Sequence, residues 1–394
     1  MTPPHASPDG RGDLALVMTG GGARAAYQVG FLRFLAAHHP DVALPILTGV
    51  SAGAINAAGL AHAGGPLAQR VEKLADAWLA VRVDRVFKVG TFGLLGRVLR
   101  VGGRLIGGGR RPASAPRSLV DTSPLRDFLL EQYGGEGGLH RGIQRNLDSG
   151  SLRSVAITGS SYATGRSVTW IQGTGVRTWN RAHRTARLTH LTADHVMASS
   201  ALPLIFPAVQ VNGRWYGDGG IRLTAPLSSA VHLGAQRVLA ISTRYGRTLA
   251  EAEVPVHEGY PPPAQVAGTL LNAIFLDQLD ADALRLDRIN NLLEDSPHAK
   301  EAGLRPVRLL VLRPSQDLGK LANDYEADLP RAFRFLTRGL GTRETRSNDF
   351  LSMLMFQSDY VQTLIDLGQR DAEAHADRIA AFLAGQKVPS NVAL

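Results

Sequence analysis

A chain of 394 residues is long enough to bury one large core or two ordinary ones. With 44% hydrophobic and 20% charged residues it reads as globular rather than disordered or fibrous. The absence of cysteine excludes disulfides, thiolate catalysis and cysteine-ligated zinc. The net charge of +9 is unevenly placed: between Val81 and Ser118 stand Arg82, Arg85, Lys88, Arg97, Arg100, Arg104, Arg110, Arg111 and Arg117, opposed only by Asp84.

Residues 1–12, rich in proline and polar side chains, are expected to form a disordered leader. No signal-peptide core follows, and no apolar run approaches the roughly 18 residues of a membrane span, so the chain reads as cytoplasmic. The run 13–19 has no polar alternation and is predicted as a strand buried on both faces. Gly20-Gly21-Gly22 follows it, then a helix over about 23–38. A second apolar run, Leu44-Pro45-Ile46-Leu47, leads into Thr48-Gly49-Val50-Ser51-Ala52-Gly53 and another helical stretch, 52–61. Strand, glycines, helix, strand, turn, helix is the opening of an α/β fold with parallel strands.

Residues 71–81 read as a helix, and the basic segment after it is broken by repeated glycines with aliphatic residues between them. That mixture suits a mobile lid or a surface meeting lipid, and equally an ordinary solvated insertion. Nucleic-acid binding fits less well, because stacking aromatics are sparse. Strands are predicted at 154–159 and 167–172, a helix at 193–200, and a hairpin over 209–216 turning at Asn212-Gly213. The hairpin ends in Gly217-Asp218-Gly219-Gly220. Then come a strand at 237–243, a long helix at 264–286, a last strand at 308–313, and helices at about 329–340, 349–367 and 372–384.

The Gly49–Gly53 stretch is a G-x-S-x-G in strand–turn–helix context, which presents the Ser51 hydroxyl at a helix N-terminus. Glycine is common here, at 43 residues, so the motif has weight only through its context. A serine nucleophile needs a base. His257, His298 and His375 have the chain order of the serine hydrolases, but none sits in a recognisable strand-end loop. Asp218, presented between glycines after a hairpin strand, is the better candidate; its competing role is an Asx turn. Consecutive glycine amides at a helix start can accept an oxyanion. The same glycines also fit a dinucleotide fingerprint, Gly20-x-Gly22-x-x-Ala25, although Asp41 precedes the second strand and so lies at its wrong end.

Four segments together resemble the patatin-like phospholipases, lipid acyl hydrolases with a Ser–Asp dyad. They are Leu16-Val17-Met18-Thr19-Gly20-Gly21-Gly22-Ala23-Arg24, the elbow Gly49 to Gly53, the run from Ala198 to Pro207, and Asp218-Gly219-Gly220. The likeness covers about 13–245. It implies a three-layer α/β sandwich with a central, mostly parallel sheet and a helical C-terminal region. It also implies that Ser51 is the nucleophile, Asp218 the base, and Gly20, Gly21 and Gly22 the oxyanion loop, joined by Ala52. Arg24, Gly49, Gly53, Gly219 and Gly220 would support them. Ala25 departs from the pattern, where glycine usually follows the arginine.

On this reading the leader is 1–12, the catalytic domain 13–315 with a basic, glycine-rich insertion at about 82–118, and the helical extension 316–394. The substrate is a phospholipid or another lipid ester, cleaved through an acyl-enzyme with no metal or cofactor. Contact with a membrane surface is transient, with Arg97, Arg100, Arg104, Arg110 and Arg111 as its candidates. A catalytically silent lipid-binding module of the same fold, and a dinucleotide-binding protein, remain as alternatives.

Overall fold

The computed structural model describes residues 13–88, 118–254, 259–294, 304–329, 333–334, 338, 342 and 347–390. The leader and the centre of the basic insertion, with Arg97, Arg100, Arg104, Arg110 and Arg111, lie outside the described residues. So do His257, His298 and most of the helix predicted at 329–340. No helix among the described residues is long and apolar enough to cross a membrane.

Strand β1 (Leu14–Met18) lies at the middle of the fold, parallel to β2 (Ile46–Val50) on one side and to β8 (Arg237–Ile241) on the other. Its sequence lacks alternation because both faces are covered. Leu14, Leu16 and Met18 enter one hydrophobic cluster, Ala15 and Val17 another. Beyond β2 come β3 (Ser154–Ser161), β4 (Ser167–Gly173) and β5 (Arg184–Leu188); beyond β8 comes β9 (Arg308–Leu312). From β3 across to β9 the strands run parallel, while β4 turns back antiparallel to β3 and carries β5 beside it. The hairpin of β6 (Val209–Val211) and β7 (Arg214–Asp218) pairs with the end of β3, setting Asp218 opposite Gly159. Its turn is the expected Asn212-Gly213, with φ of 49° and 75°.

One face of the sheet is covered by α1 (Ala26–His38), α2 (Ala52–His62), α3 (Leu67–Ala80), α4 (Ser123–Tyr133) and α5 (Gly138–Asp148), all contributing to the larger cluster. Helix α6 (Ala193–Ser199) joins it from beside β3. The other face is covered by the short helix Ser228–His232 and by α8 (Gln278–Glu294). The architecture is therefore the three-layer sandwich with a mostly parallel centre.

Some elements differ from the expectation. The helix predicted at 264–286 is two, α7 (Pro263–Phe275) and α8, broken at Leu276-Asp277. Phe275 and Leu276 belong to the larger cluster, Leu279 and Ala283 to the smaller one across the sheet, and one straight helix cannot serve both. The stretch predicted at 349–367 divides into α9 (Asp349–Leu354) and α10 (Ser358–Ala374). Strand β5 and helices α4 and α5 were not expected. Strand β5 reads Arg-Thr-Ala-Arg-Leu with its last two residues exposed, so only its neighbour β4 makes it a strand.

Helix α10 lies along α1 at very short range. A Cβ on Gly30 would stand 1.8 Å from the Ile365 carbonyl oxygen, and one on Gly368 2.0 Å from that of Tyr27. The Tyr27 hydroxyl donates to Asp371 at 3.0 Å across the same seam. The helical region after residue 316 thus shares the core of α1 and β1.

Candidate active site

The elbow forms because two chain segments cross where no side chain fits. A Cβ on Gly49 would lie 2.3 Å from the Gly53 carbonyl oxygen, and one on Gly53 2.2 Å from that of Met18. Between them Ser51 takes φ 56° and ψ −131°. Among the described non-glycine residues only Leu204 and Asn212 share a positive φ. Such a backbone is costly and persists only where its surroundings over-determine it.

Helix α6 supplies those surroundings. The Ser51 N–H donates to Ser199 Oγ at 3.0 Å, and Ser200 Oγ donates to the Ser51 carbonyl at 3.0 Å. Ser199 Oγ in turn donates to the Thr158 carbonyl of β3 at 2.6 Å. Both backbone groups of Ser51 are thereby held by consecutive serines. In the sequence these serines stand inside the longer run from Ala198 to Pro207. A pair of small hydroxyl residues at a helix end was the available signal, but nothing local says which backbone they hold.

Asp218 ends β7 and is fully buried, as is Ser51 apart from 4% of its surface. Its N–H donates to the Ala201 carbonyl at 2.9 Å, fixing it to the segment after α6. Oδ1 accepts the Gly220 N–H at 2.9 Å, whereas Oδ2 is buried and accepts no hydrogen bond. Burial pushes the carboxyl pKa up to about 7, opposed by the Ser51 hydroxyl and by the Gly220 N–H. The Ser51 hydroxyl is therefore close enough to favour the charged form, without a well-formed hydrogen bond to Oδ2. Such bonds often tighten only when substrate is present. The Asx turn onto Gly220, weighed as Asp218's competing role, exists, but it occupies only one of the two oxygens.

The three glycines of the first loop separate in position. A Cβ on Gly20 would lie 2.8 Å from Ser51 Cβ, so this glycine backs directly onto the serine. Gly21 has φ 141° and accepts the Arg24 N–H on its carbonyl. Gly22, at φ 58°, lines the cavity with Ser51 and Ala52, and a Cβ there would lie 2.0 Å from the Met353 carbonyl oxygen. No described acceptor takes the N–H of Gly22 or Ala52. Gly219 and Gly220 are constrained as tightly, the first by the Thr158 carbonyl oxygen at 2.1 Å from a built Cβ, the second by the Phe275 ring at 2.2 Å.

Arg24 turns away from the cavity. It is 3% exposed, donates from Nε to Ser352 Oγ at 2.7 Å, and forms an ion pair with Asp349 on α9. Asn272 of α7 completes the Asp349 carboxylate at 2.6 Å. Ala25, at the position of departure, is fully buried and its carbonyl accepts Asn56 Nδ2 at 3.0 Å. The space beside Gly22 is filled by α9, and Asp41 is exposed, so the arrangement offers a dinucleotide little.

Ser51 opens into a cavity of about 500 Å³ between α2, α3 and α4. Ile55, Leu74, Trp78, Leu125, Phe128 and Phe206 are among its walls, which suits an apolar chain. Among the described residues no group of acids and histidines could hold a metal ion.

No curated protein matches the chain. Solved structures with a similar course include human GIVD cytosolic phospholipase A2, at 10% identity over 96% of this chain and 61% of that one, TM-score 0.41. VipD from Legionella pneumophila is 13% identical over 97% of this chain and 80% of that one, TM-score 0.31. The type III effector ExoU, of Pseudomonas aeruginosa, is 14% identical over 87% and 77%, TM-score 0.29. The chain spans about 60% of the length of the human protein. These overall likenesses are distant. The sequence itself matches the model of the patatin-like phospholipases over residues 16–231, more than half its length, and the chain belongs to that family.

Proposed function

We propose that the protein is a lipid acyl hydrolase acting on carboxylic esters through Ser51 and Asp218. The observation that carries this reading is a serine in a strained backbone conformation, at the head of an apolar cavity, beside a buried carboxyl that no cation among the described residues neutralises. Asp218 takes the proton of Ser51 Oγ as that oxygen attacks the ester carbonyl carbon. A carboxylate of ordinary pKa is a poor base, and burial corrects that by bringing Asp218 to about 7.

The oxyanion then rests on the N–H groups of Gly22 and Ala52. The Ser51 N–H is excluded from this task, since Ser199 already accepts it. Collapse of the tetrahedral intermediate releases the alcohol with the proton from Asp218 and leaves an acyl group on Ser51. Water attacks that ester next, again losing its proton to Asp218, and collapse returns the proton to Ser51 Oγ as the fatty acid departs.

The test is hydrolysis of a short-chain chromogenic ester and a fluorogenic phospholipid by the wild type, Ser51→Ala and Asp218→Asn. Turnover by the wild type alone, with all three proteins folded, is the expected result. A Ser51→Ala protein that still turned over either substrate would end this assignment.

A further inference from the structure

We propose that the end of the cavity farthest from Ser51 is a binding site for an anionic group that terminates an apolar chain. The inference rests on the acyl-hydrolase reading for its orientation, and on the far end itself for its chemistry. The cavity follows one face of α2, touching Ser51, Ile55, Gly59 and His62. At 1.5 Å per residue this face is about 16 Å long. Helix α3 runs back along it: Arg70 reaches the Leu60 carbonyl, and Trp78 Nε1 reaches Asn56 Oδ1 at 2.6 Å. The polarity of the lining changes along this path, from apolar beside Ser51 to cationic at the C-terminal end of α2.

Arg70 is the decisive residue. It is only 8% exposed, yet no described carboxylate pairs with it. Its Nε and Nη2 both donate to the one Leu60 carbonyl oxygen, at 3.0 and 2.5 Å. Part of its charge is offset by the C-terminal end of α2, but a guanidinium offers five N–H donors and most remain unused. Lys73 and Arg145 stand on the same part of the lining, without ion pairs among the described residues. Their positive charges help to hold the His62 pKa below its usual value, after burial itself, which places both near that ring. Among the described residues the Tyr133 hydroxyl is buried there without a hydrogen-bond partner. Among the described residues Asp76 is the single acid on the cavity lining, and it is exposed.

Burying a cation without a counter-ion is costly, and an anion seated here would remove the deficit. A planar carboxylate matches the guanidinium fork. The anion does not belong to a phospholipid headgroup. Only a glycerol separates a headgroup from the reacting ester, whereas the whole apolar length of the cavity separates these cations from Ser51. It belongs to the far end of a chain. Two sources share that chemistry: an acyl group of the substrate bearing its own terminal carboxylate, and a free fatty acid lying in the cavity in reverse.

Kinetics on p-nitrophenyl dodecanoate and on the p-nitrophenyl monoester of dodecanedioic acid test the first source. The wild type is expected to favour the carboxylated ester by about tenfold in kcat/KM. Lys73→Met and Arg145→Met, both at exposed positions, are expected to bring that ratio towards one. Calorimetry on Ser51→Ala tests the second source, and the binding reading itself if no ester is hydrolysed. Dodecanoic acid is expected to bind less tightly once Lys73→Met or Arg145→Met is added, and least tightly with Arg70→Met, whose melting temperature reports whether it stays folded. A wild-type ratio of one or less, together with acid binding indifferent to all three substitutions, overturns the site. Hydrolysis of the plain ester in that case leaves the acyl-hydrolase reading standing.

Discussion

Asp349 and Asp218 stand on either side of the same glycine loop, one paired with Arg24 just after it and the other beside the serine that Gly20 backs. Asp349 is met by the Arg24 guanidinium and the Asn272 amide, so its charge is compensated and α9 is tied to the loop. Among the described residues Asp218 has one backbone N–H, an oxygen without a partner and no cation. A carboxylate placed for structure is paired. On the proposed reading the carboxylate that accepts a proton is the one left short of partners, so that burial raises its pKa.

Four predictions break or sharpen this contrast. The largest effect is on activity. Ser51→Ala or Asp218→Asn is expected to lower kcat by at least about 10³, near 4 kcal/mol in barrier, in ester assays on folded protein. Next is the paired acid. Arg24→Met leaves Asp349 without its cation and is expected to cost about 3–5 kcal/mol in denaturant unfolding. A loss below about 1 kcal/mol would show the clamp to be ornamental. The third concerns pH. If Asp218 must be ionised, kcat/KM rises about tenfold per pH unit below its pKa of about 7 and levels off above it. A flat profile from about pH 5 to 8 would remove it from the base role.

The smallest effect is the most discriminating, because removing the unpaired acid is expected to raise stability where removing a partner of the paired acid lowers it. The native pKa of Asp218 lies above its unfolded value, so its contribution to stability is fully present below about pH 4 and is lost as pH rises towards 7. A shift of about three units caps that loss at about 4 kcal/mol. The amide that Asp218→Asn introduces would lack an acceptor, taking back about 1–2 kcal/mol. Asp218→Asn is therefore expected to be roughly 2 kcal/mol more stable than wild type at about pH 7 and to lose that advantage near pH 4. Chemical denaturation at the two pH values reads the sign directly.

Much of this centre was legible in the chain because its constraints are local. The unbroken apolar runs of β1 and β2, the Gly49 and Gly53 crossing, the Asn212-Gly213 turn and the Asp218 turn are each dictated by residues within a few positions. Other features had no such signature. The serines of α6 hold Ser51 from almost 150 positions away, and Arg24 finds Asp349 across most of the chain. Strand β5 carries two arginines in five residues and exists because β4 offers it an edge. The break at Leu276 follows from two clusters on opposite faces of a sheet, a demand that helical periodicity cannot express.

By itself, then, the sequence determined where the backbone must turn, where glycine is obligatory and which two side chains could form the reacting pair. Tertiary structure alone decided the electrostatics. Among the described residues, burial removed water from Asp218 and gave it no cation, while the same fold supplied Asp349 with Arg24 and left Arg70 at the far end of the cavity without an acid. Charge compensation depends on which distant residues meet and how much water remains between them, and neither quantity is written in local order.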